Sequence, residues 1–284
     1  MTMRVPIKLS DAFWPRALAR VVGPHLRTDP RILLTEGGPS PQARTQAISA
    51  FKFGTTFKTT AHDRHREADE LLIADGVDRD AVILDVGASD GITSLNLIDR
   101  LGEGFGGFFV TDYNLSVTAL RRGHRVNFFD HRGTCVLVAD PLFVYYPEDH
   151  PLLKKAMAPL VRLVAGHHEE GRKIQLIHPA LAARASSDPR IRIRAYDVLE
   201  PWTDVKPTII KVANVLNPAY FSSAVIRRAL TNLYRALPPG GRLLLIENRA
   251  AIQGGLFRRG PRGFEPVAQL RRSDIHELVV APYR

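Results

Sequence analysis

The sequence has only one cysteine, Cys135, among its 284 residues. One cysteine cannot form an intrachain disulfide, and it cannot build a zinc site from several thiolates. One run of other metal-binding residue types occurs at positions 167–170 (HHEE). Adjacent residues on a helix point in different directions, and no second cluster accompanies this run, so no metal site is predicted.

Long apolar runs are also missing. None approaches the roughly 20 residues that a helix needs to cross a bilayer. The first twenty residues are interrupted by charges such as Arg4, Lys8 and Asp11, so they lack the apolar core of a secretory signal. These absences predict a cytoplasmic protein.

The chain lacks a long lysine and arginine tract, although its formal net charge is +10. Its basic residues occur singly or in pairs such as Arg121-Arg122 and Arg258-Arg259. Such a charge attracts phosphates and anionic membrane surfaces without specifying a fold. A scattered distribution is typical of a solvated basic surface, and a nucleic-acid footprint is the alternative.

After residue 78 the sequence alternates short apolar runs with amphipathic segments. The run 81–84 (AVIL) is typical of a strand buried on both faces, and a glycine-containing turn at 85–91 follows it. Apolar residues at helical spacing then predict a helix from Ile92 to Leu101, and a second strand at 107–111 ends at Asp112. This order predicts a βαβ unit.

The alternation continues toward the carboxyl terminus. Ser222 is the predicted N-cap of a helix that ends at Pro238 to Gly241. The tail is predicted to form an antiparallel hairpin with a final edge strand at 277–282 (ELVVAP). The other predicted elements are a helix near 179–186 and strands at 191–196, 208–213 and 242–246. Together they predict an α/β fold with a doubly wound, mostly parallel, seven-stranded sheet.

Two regions stand outside this repeat. Residues 1–78 are predicted to be a helical segment that could act as a lid, and 79–284 to be the main domain. An insertion is predicted at about 127–170, because 125–146 has the pattern of a β-hairpin or small meander and 151–166 that of a short helix.

Four motifs in this order resemble those of class I methyltransferases that depend on S-adenosylmethionine (SAM). They are LDVGASDG at 84–91, Asp112 at the end of the second strand, YDVLEP at 196–201 and ALPPGGRLLLIE at 236–247. The resemblance covers about 79–126 and 171–284, and it implies a Rossmann-like SAM-binding domain that releases S-adenosylhomocysteine.

Elementary chemistry fits these positions. Glycines let the backbone approach a ligand closely, the following helix offers unpaired N–H groups to a carboxylate, and a carboxylate can accept hydrogen bonds from both ribose hydroxyls. The resemblance implies that the methionine end of SAM lies at the glycine turn, its ribose at the second strand end and its adenine at the third. The implied cofactor-binding residues are Asp85, Gly87, Ser89, Gly91, Asp112, Asp197, Val198 and Asn214.

Two assignments remain open at this point. If the insertion preceded the second strand, that strand would be 174–178, and His178 at its end would replace Asp112 near the ribose. We favour Asp112, because a carboxylate can accept hydrogen bonds from both ribose hydroxyls and a neutral imidazole cannot. Lys211 lies inside an apolar strand, where an unpaired cation is costly. It is predicted either to form a structural ion pair or to order the SAM turn through Asp85 or Asp90.

The predicted reaction is methyl transfer from SAM to an oxygen or nitrogen atom of a small molecule, such as a glycan or lipid-linked acceptor. A general base would be needed for a protonated acceptor, and the candidates are Asp90, Tyr220 and Glu247. Asn217-Pro218-Ala219-Tyr220 resembles the signature of enzymes that methylate base nitrogens, so an RNA or DNA base methyltransferase is the alternative. A SAM-binding protein without catalytic activity is a further alternative, and a peripheral membrane contact is compatible with the charge.

Overall fold

A computed structural model of the chain describes residues 7–8, 27–54, 56–58, 60–140, 144–147, 171–248 and 251–283. The predicted helix at 151–166 and the 167–170 run lie outside the described residues. The described strands are β1 (Ile7–Lys8), β2 (Arg27–Thr28), β3 (Lys52–Phe53), β4 (Thr56–Phe57), β5 (Val82–Val86), β6 (Gly107–Asp112), β7 (Ser116–Arg122), β8 (Arg125–Phe129), β9 (Cys135–Ala139), β10 (Val144–Tyr145), β11 (Arg172–Gln175), β12 (Ile191–Ala195), β13 (Ile209–Ala213), β14 (Arg242–Asn248), β15 (Ile252–Arg259) and β16 (Phe264–Arg271).

The described helices begin with a 3-10 helix at Pro30–Leu34. The α-helices are α1 (Pro41–Ile48), α2 (Arg66–Ala74), α3 (Ile92–Leu101), α4 (Pro179–Ser187), α5 (Ser223–Ala236) and α6 (His276–Val280). In this part of the chain, none of them combines the length and apolar character needed to cross a membrane.

The chain divides into two compact units. Unit 1 consists of Met1–Thr60 and Asn114–His178, and unit 2 of Ala61–Tyr113 and Pro179–Arg284. The sequence predicted boundaries at 78, 127 and 170, whereas the structure divides the chain after 60, 113 and 178. Helix α2 therefore belongs with the main domain, and the insertion begins directly after β6.

Unit 1 is built around a five-stranded antiparallel sheet with the order β10-β9-β8-β7-β11. Its consecutive strands β8, β9 and β10 form the meander predicted at 125–146. The buried rings of Phe51 and Phe128 meet edge to face with centroids 5.1 Å apart, so the segment before β3 packs on the sheet within one core.

Unit 2 contains a seven-stranded sheet with the order β12-β6-β5-β13-β14-β15-β16. The first five strands are parallel and β14, β15 and β16 pair antiparallel. In chain order the parallel strands run 3-2-1-4-5, the order of doubly wound folds. The predicted fold class, an α/β Rossmann-like domain with a mostly parallel seven-stranded sheet, is confirmed.

Helices cover both faces of this sheet. On one face α2 packs near β14 and β15, and α3 lies between α2 and α4. On the other, α5 buries Ile226, Leu230 and Leu233 against the sheet in one cluster of the core, where α6 also packs. Ser222 caps α5 as predicted, because its Oγ accepts a hydrogen bond from the Val225 N–H at 3.5 Å.

The tail differs from its prediction. The hairpin is present as β15 and β16, but the segment predicted as a final edge strand forms α6 instead. Its apolar residues fit a helix because Val279 is buried in the same core as α5, and the Tyr283 hydroxyl donates to the carbonyls of Leu278 and Val279 at 2.8 Å. The edge strand is therefore β16.

Candidate functional site

The second strand of the unit 2 sheet is β6, which lies between β5 and β12 and ends at Asp112. The competing segment before His178 forms β11, which pairs with β7 in the other sheet. Asp112 therefore occupies the second strand end, and the insertion follows it.

A tight glycine bend follows β5. Gly87, Ser89 and Gly91 have φ angles of 73°, 61° and 81°, in the left-handed region. A Cβ atom at Gly87 would lie 2.1 Å from Val215 Cγ2, and one at Gly91 would lie 2.1 Å from Leu181 Cδ2. At both positions the positive φ would strain any other residue, and a Cβ atom would force the neighbouring side chain to move.

Asp112 holds this bend in place. Its Oδ2 atom accepts a hydrogen bond from the Ser89 N–H at 2.8 Å, and the Ala88 N–H donates to the Thr111 carbonyl at 2.9 Å. The structure thus brings together the end of the second strand and the middle of the bend. Ser89 adopts a conformation that is strained for a non-glycine residue, and these two hydrogen bonds stabilise it.

Asp90 lies at the start of α3. Its side chain is fully buried, and its Oδ1 accepts a hydrogen bond from the Ile92 N–H at 3.0 Å. This contact satisfies one of the backbone donors that a helix start leaves unpaired. The structure therefore places this predicted base candidate in a capping position within the bend.

A buried chain of charged and polar groups lies beneath the bend. Lys211 and Asp85 are register partners on β13 and β5, so their side chains project from the same face of the sheet. The Lys211 Nζ atom is 2.7 Å from Asp69 Oδ1 on α2, and the Ser94 hydroxyl on α3 donates to Asp85 Oδ2 at 2.8 Å. These four buried side chains connect two helices to the strand that carries the bend.

Burial has the largest effect on the pKa values of the two carboxyl groups in this buried network. It raises the pKa of Asp85 to about 6, against the opposing effects of Lys211 and of the hydrogen bond from Ser94. It also raises the pKa of Asp69, and Lys211 again acts in the opposite direction. Lys211 thus supplies the positive charge that favours the ionised form of both carboxyls.

His65, at the start of α2, is a third buried titratable group in this region. Neither ring nitrogen has a hydrogen-bond partner among the described residues. Burial, followed by the charges of Lys211 and Arg64, lowers the pKa of His65 to about 2. The imidazole is therefore neutral at physiological pH.

Sequence reasoning singled out neither His65, Asp69 nor Ser94. A signal for Asp69 was present, because it is an acidic residue next to Ala68 and three positions before Leu72, both of which are buried. A charge on the apolar face of a helix requires a partner, but the sequence does not say which one.

The end of the third strand lies beside that of the second. The Tyr196 N–H donates to the Asp112 carbonyl at 3.1 Å, which joins the two strand ends. Asp197 follows, half-buried, with its Oδ1 accepting from the Leu199 N–H at 2.9 Å. The Val198 carbonyl accepts from Asn232 Nδ2 at 3.2 Å. Asp197 and Val198 therefore lie in an ordered turn beside Asp112.

The fourth strand ends at another left-handed residue, Asn214, with a φ of 60°. Its N–H donates to the Ile246 carbonyl at 2.8 Å, and its Oδ1 accepts from the Asn248 N–H at 2.6 Å. The next residue, Val215, is the one that closely approaches Gly87. Asn214 therefore belongs to the same edge of the sheet as the glycine bend.

The other two base candidates lie further along the chain. Tyr220 is 40% exposed, in the turn that its N–H closes by donating to the Asn217 carbonyl at 2.9 Å. Glu247 is buried on β14, where its Oε2 accepts from the Asp274 N–H at 3.0 Å.

A cavity elsewhere in unit 2 is lined by residues that include Asp75, Arg242 and Arg258. Arg242 begins β14, so this cavity lies at the amino end of the strands. Ligands of doubly wound sheets bind at the carboxyl ends, near the point where the strand order reverses. The glycine bend lies at that point, between β5 and β13, and is therefore the candidate site.

No protein-family model matches the chain, and no curated protein matches it. Solved structures to which it is similar include YcgJ from Bacillus subtilis, at 14% identity over 64% of this chain and 51% of that one, with a TM-score of 0.35. The N-methyltransferase NodS from Bradyrhizobium japonicum matches at 16% identity over 66% of this chain and 67% of that one, with a TM-score of 0.35. The methyltransferase CalH, solved with S-adenosylhomocysteine, matches at 13% identity over 64% of this chain and 34% of that one, with a TM-score of 0.30.

The chain spans about half the length of YcgJ and about a third of the length of CalH. At these identities and TM-scores the similarity concerns the fold alone. Class I methyltransferases are thus among the structures that this chain is similar to, and what its own site does rests on the geometry described above.

Proposed function

We propose that unit 2 binds SAM at the glycine bend and transfers its methyl group to an oxygen or nitrogen atom of an acceptor. The observation that carries this proposal is the bend itself. Three left-handed residues lie at the carboxyl end of the central strand where the strand order reverses, and the Asp112 carboxylate accepts a hydrogen bond from the middle one, Ser89. Nucleotide-like ligands bind at this point of a doubly wound sheet.

The proposed cofactor contacts follow the carboxyl ends of the four strands β5, β6, β12 and β13. The bend and the first turn of α3 offer backbone N–H groups, which suit the carboxylate of the methionine end. Asp112 is proposed to accept from the ribose hydroxyls, and the turn of Asp197 and Val198 to contact the adenine. Asn214 is proposed to face the methyl group, since it lies at the fourth strand end, where Val215 touches the bend.

Methyl transfer is an in-line displacement in which the acceptor atom attacks the methyl carbon and the sulfonium leaves as a neutral thioether. The protein supplies proximity, orientation and exclusion of water. Asp90 and Glu247 are buried with a carboxylate oxygen engaged by a backbone N–H, whereas the Tyr220 side chain is exposed. Of the three base candidates, Tyr220 is therefore the one we propose to meet the acceptor.

The acceptor is proposed to be a small molecule, such as a glycan or a lipid-linked intermediate. Proteins that bind single-stranded nucleic acid stack bases on accessible aromatic side chains. The exposed large apolar side chains of the described residues are Val205, Tyr220 and Val267, so Tyr220 is the single tyrosine, phenylalanine or tryptophan among them, and this part of the chain offers no row of stacking platforms.

SAM binding to purified protein, measured by calorimetry, tests the cofactor site. Asp112→Ala and Asp197→Ala are each expected to weaken binding at least about tenfold, the effect of losing hydrogen bonds from a charged group. Asp99→Ala is the matched control, because Asp99 is an exposed carboxylate of α3. Unchanged affinity in both site variants would refute the proposed cofactor map.

A further inference from the structure

The positive charge of the protein is concentrated in one of its two units. Unit 1 contains 18 lysine and arginine residues against 9 aspartate and glutamate residues, and unit 2 contains 21 against 20. Unit 1 therefore has an excess of nine positive charges, and unit 2 an excess of one. Charge of this size on one unit attracts anionic partners to it.

Part of this excess lies on the β7–β8 hairpin and on the neighbouring edge strand β11 of the unit 1 sheet. Arg122 and Arg125 are directly opposite across the β7–β8 hairpin, and Arg121 precedes them. On the other side of β7, Arg172 and Lys173 are opposite Ala119 and Thr118. We call these five residues, Arg121, Arg122, Arg125, Arg172 and Lys173, the basic edge. All except the half-buried Arg125 are exposed.

Among the described residues, no ion pair joins a carboxylate to any of these five side chains. The Arg172 guanidinium donates to the Leu34 carbonyl at 2.9 Å. Asp140 follows Ala139, the register partner of Val126, so its charge offsets part of that of Arg125 and leaves the other four cations. Like charges directly opposite each other across two strands are destabilising, as at Arg122 and Arg125. An external anion would offset this repulsion.

We propose that the basic edge docks unit 1 on an anionic membrane surface. Arginine and lysine side chains are long and flexible, so cations from both faces of a sheet end can reach a common plane. Clusters of four to eight such residues are typical of attraction to anionic lipid headgroups. The turn between β7 and β8 consists of Gly123 and His124, which are both exposed, and the His124 carbonyl accepts from Arg31 Nη1 at 2.9 Å, so a further cation lies beside this turn.

A nucleic-acid partner fits this edge less well. Single-stranded nucleic acid is held by aromatic stacking as well as by charge, and no phenylalanine, tyrosine or tryptophan side chain is exposed in the described part of unit 1. A membrane contact also suits a lipid-linked acceptor. The docking proposal does not depend on methyl transfer, because all five residues lie in unit 1.

Co-sedimentation of the full chain with vesicles tests the proposal, using phosphatidylcholine with and without phosphatidylserine at low salt. Binding is expected only with phosphatidylserine. The variant Arg121→Gln/Arg122→Gln/Lys173→Gln is expected to lower the partition coefficient about a hundredfold, since each basic residue near such a surface contributes a factor of roughly five. The control Arg79→Gln/Arg227→Gln/Arg262→Gln removes the same charge from exposed positions of unit 2 and is expected to have a much smaller effect.

Equal losses in the two triple variants, or equal binding to both kinds of vesicle, would overturn the proposal. So would tighter binding to duplex RNA or DNA than to the anionic vesicles. SAM affinity is measured on the same samples and is expected to stay unchanged in the basic-edge variant. SAM affinity reports the integrity of unit 2, so it separates failure of docking from failure of the proposed cofactor site, and circular dichroism of the same samples reports whether the variant is folded.

Discussion

Replacing Lys211 with methionine tests how the buried charges beneath the glycine bend are held. The Lys211 side chain is fully buried, its Nζ lies 2.7 Å from Asp69 Oδ1, and Asp85 is its register partner on β5. Methionine has a similar length and no charge, so Lys211→Met removes the cation and leaves two buried carboxyls without it.

The expected loss of stability is large. Removing one partner of a buried ion pair costs about 3 to 5 kcal/mol, because the remaining charge is uncompensated. For domains of 150–250 residues, 1 kcal/mol corresponds to roughly 2 to 4 °C in the thermal midpoint. Lys211→Met is therefore expected to lower the midpoint of unit 2 by about 6 to 20 °C.

Calorimetric unfolding at neutral pH measures this shift, with two comparison variants. The double variant Lys211→Met/Asp69→Leu replaces the pair by apolar groups and is expected to regain at least half of the loss, since such replacements are often neutral. Lys206→Met removes an exposed lysine and is expected to change stability by less than about 0.5 kcal/mol. A double variant that is no more stable than Lys211→Met would show that the pair with Asp69 does not hold this region together.

Three further predictions concern the same region. Burial lowers the pKa of His65 to about 2, so its contribution to stability is present above the unfolded pKa of about 6.5 and is lost as pH falls. His65→Leu removes this loss, so its free energy of unfolding relative to the parent, measured in denaturant, is expected to be about 3 kcal/mol higher at pH 4.5 than at pH 7.5. A difference that does not change with pH would contradict this. Gly87→Ala is expected to abolish measurable SAM binding because its Cβ would meet Val215. The control Gly102→Ala is also at a positive φ but has open space around it, so it is expected to lower stability without changing SAM binding. Equal SAM affinity in the two variants would contradict the proposal that SAM binds at the glycine bend. Ser89→Gly is expected to raise the free energy of unfolding by about 1 kcal/mol by relieving left-handed strain, and a destabilised variant in chemical denaturation would rule that out.

The sequence predicted the sheet of unit 2 well because local signals and tertiary structure agree there. Strands β5 and β13 are apolar runs of branched residues, and both are buried on two faces. The glycine bend was predictable for a similar reason, since its motif places small residues where the chain must turn sharply. Asp112 followed from its position at a strand end.

The remainder depends on contacts that no local pattern encodes. The partner of Lys211 is 142 residues away in sequence, so only the assembled sheet shows whether Asp69 or Asp85 holds its ammonium group. The division into units is also non-local, because unit 1 combines two segments of the chain that are separated by residues 61–113 of unit 2. The tail run 277–280 is apolar and rich in valine, which favours a strand locally, but packing against α5 makes it helical.

The distribution of backbone strain supports placing the function at the glycine bend. Among the described residues, the non-glycine residues with left-handed φ are Asp63, Ser89 and Asn214. Ser89 follows β5 and Asn214 follows β13, so two of the three lie at the carboxyl ends of the adjacent strands where the sheet reverses its order. Such strain persists only where surrounding contacts maintain it, and here Asp112 and Asn248 provide them through hydrogen bonds. Because such residues cluster at ligand-binding sites, their position at two adjacent strand ends favours the glycine bend as the proposed cofactor site.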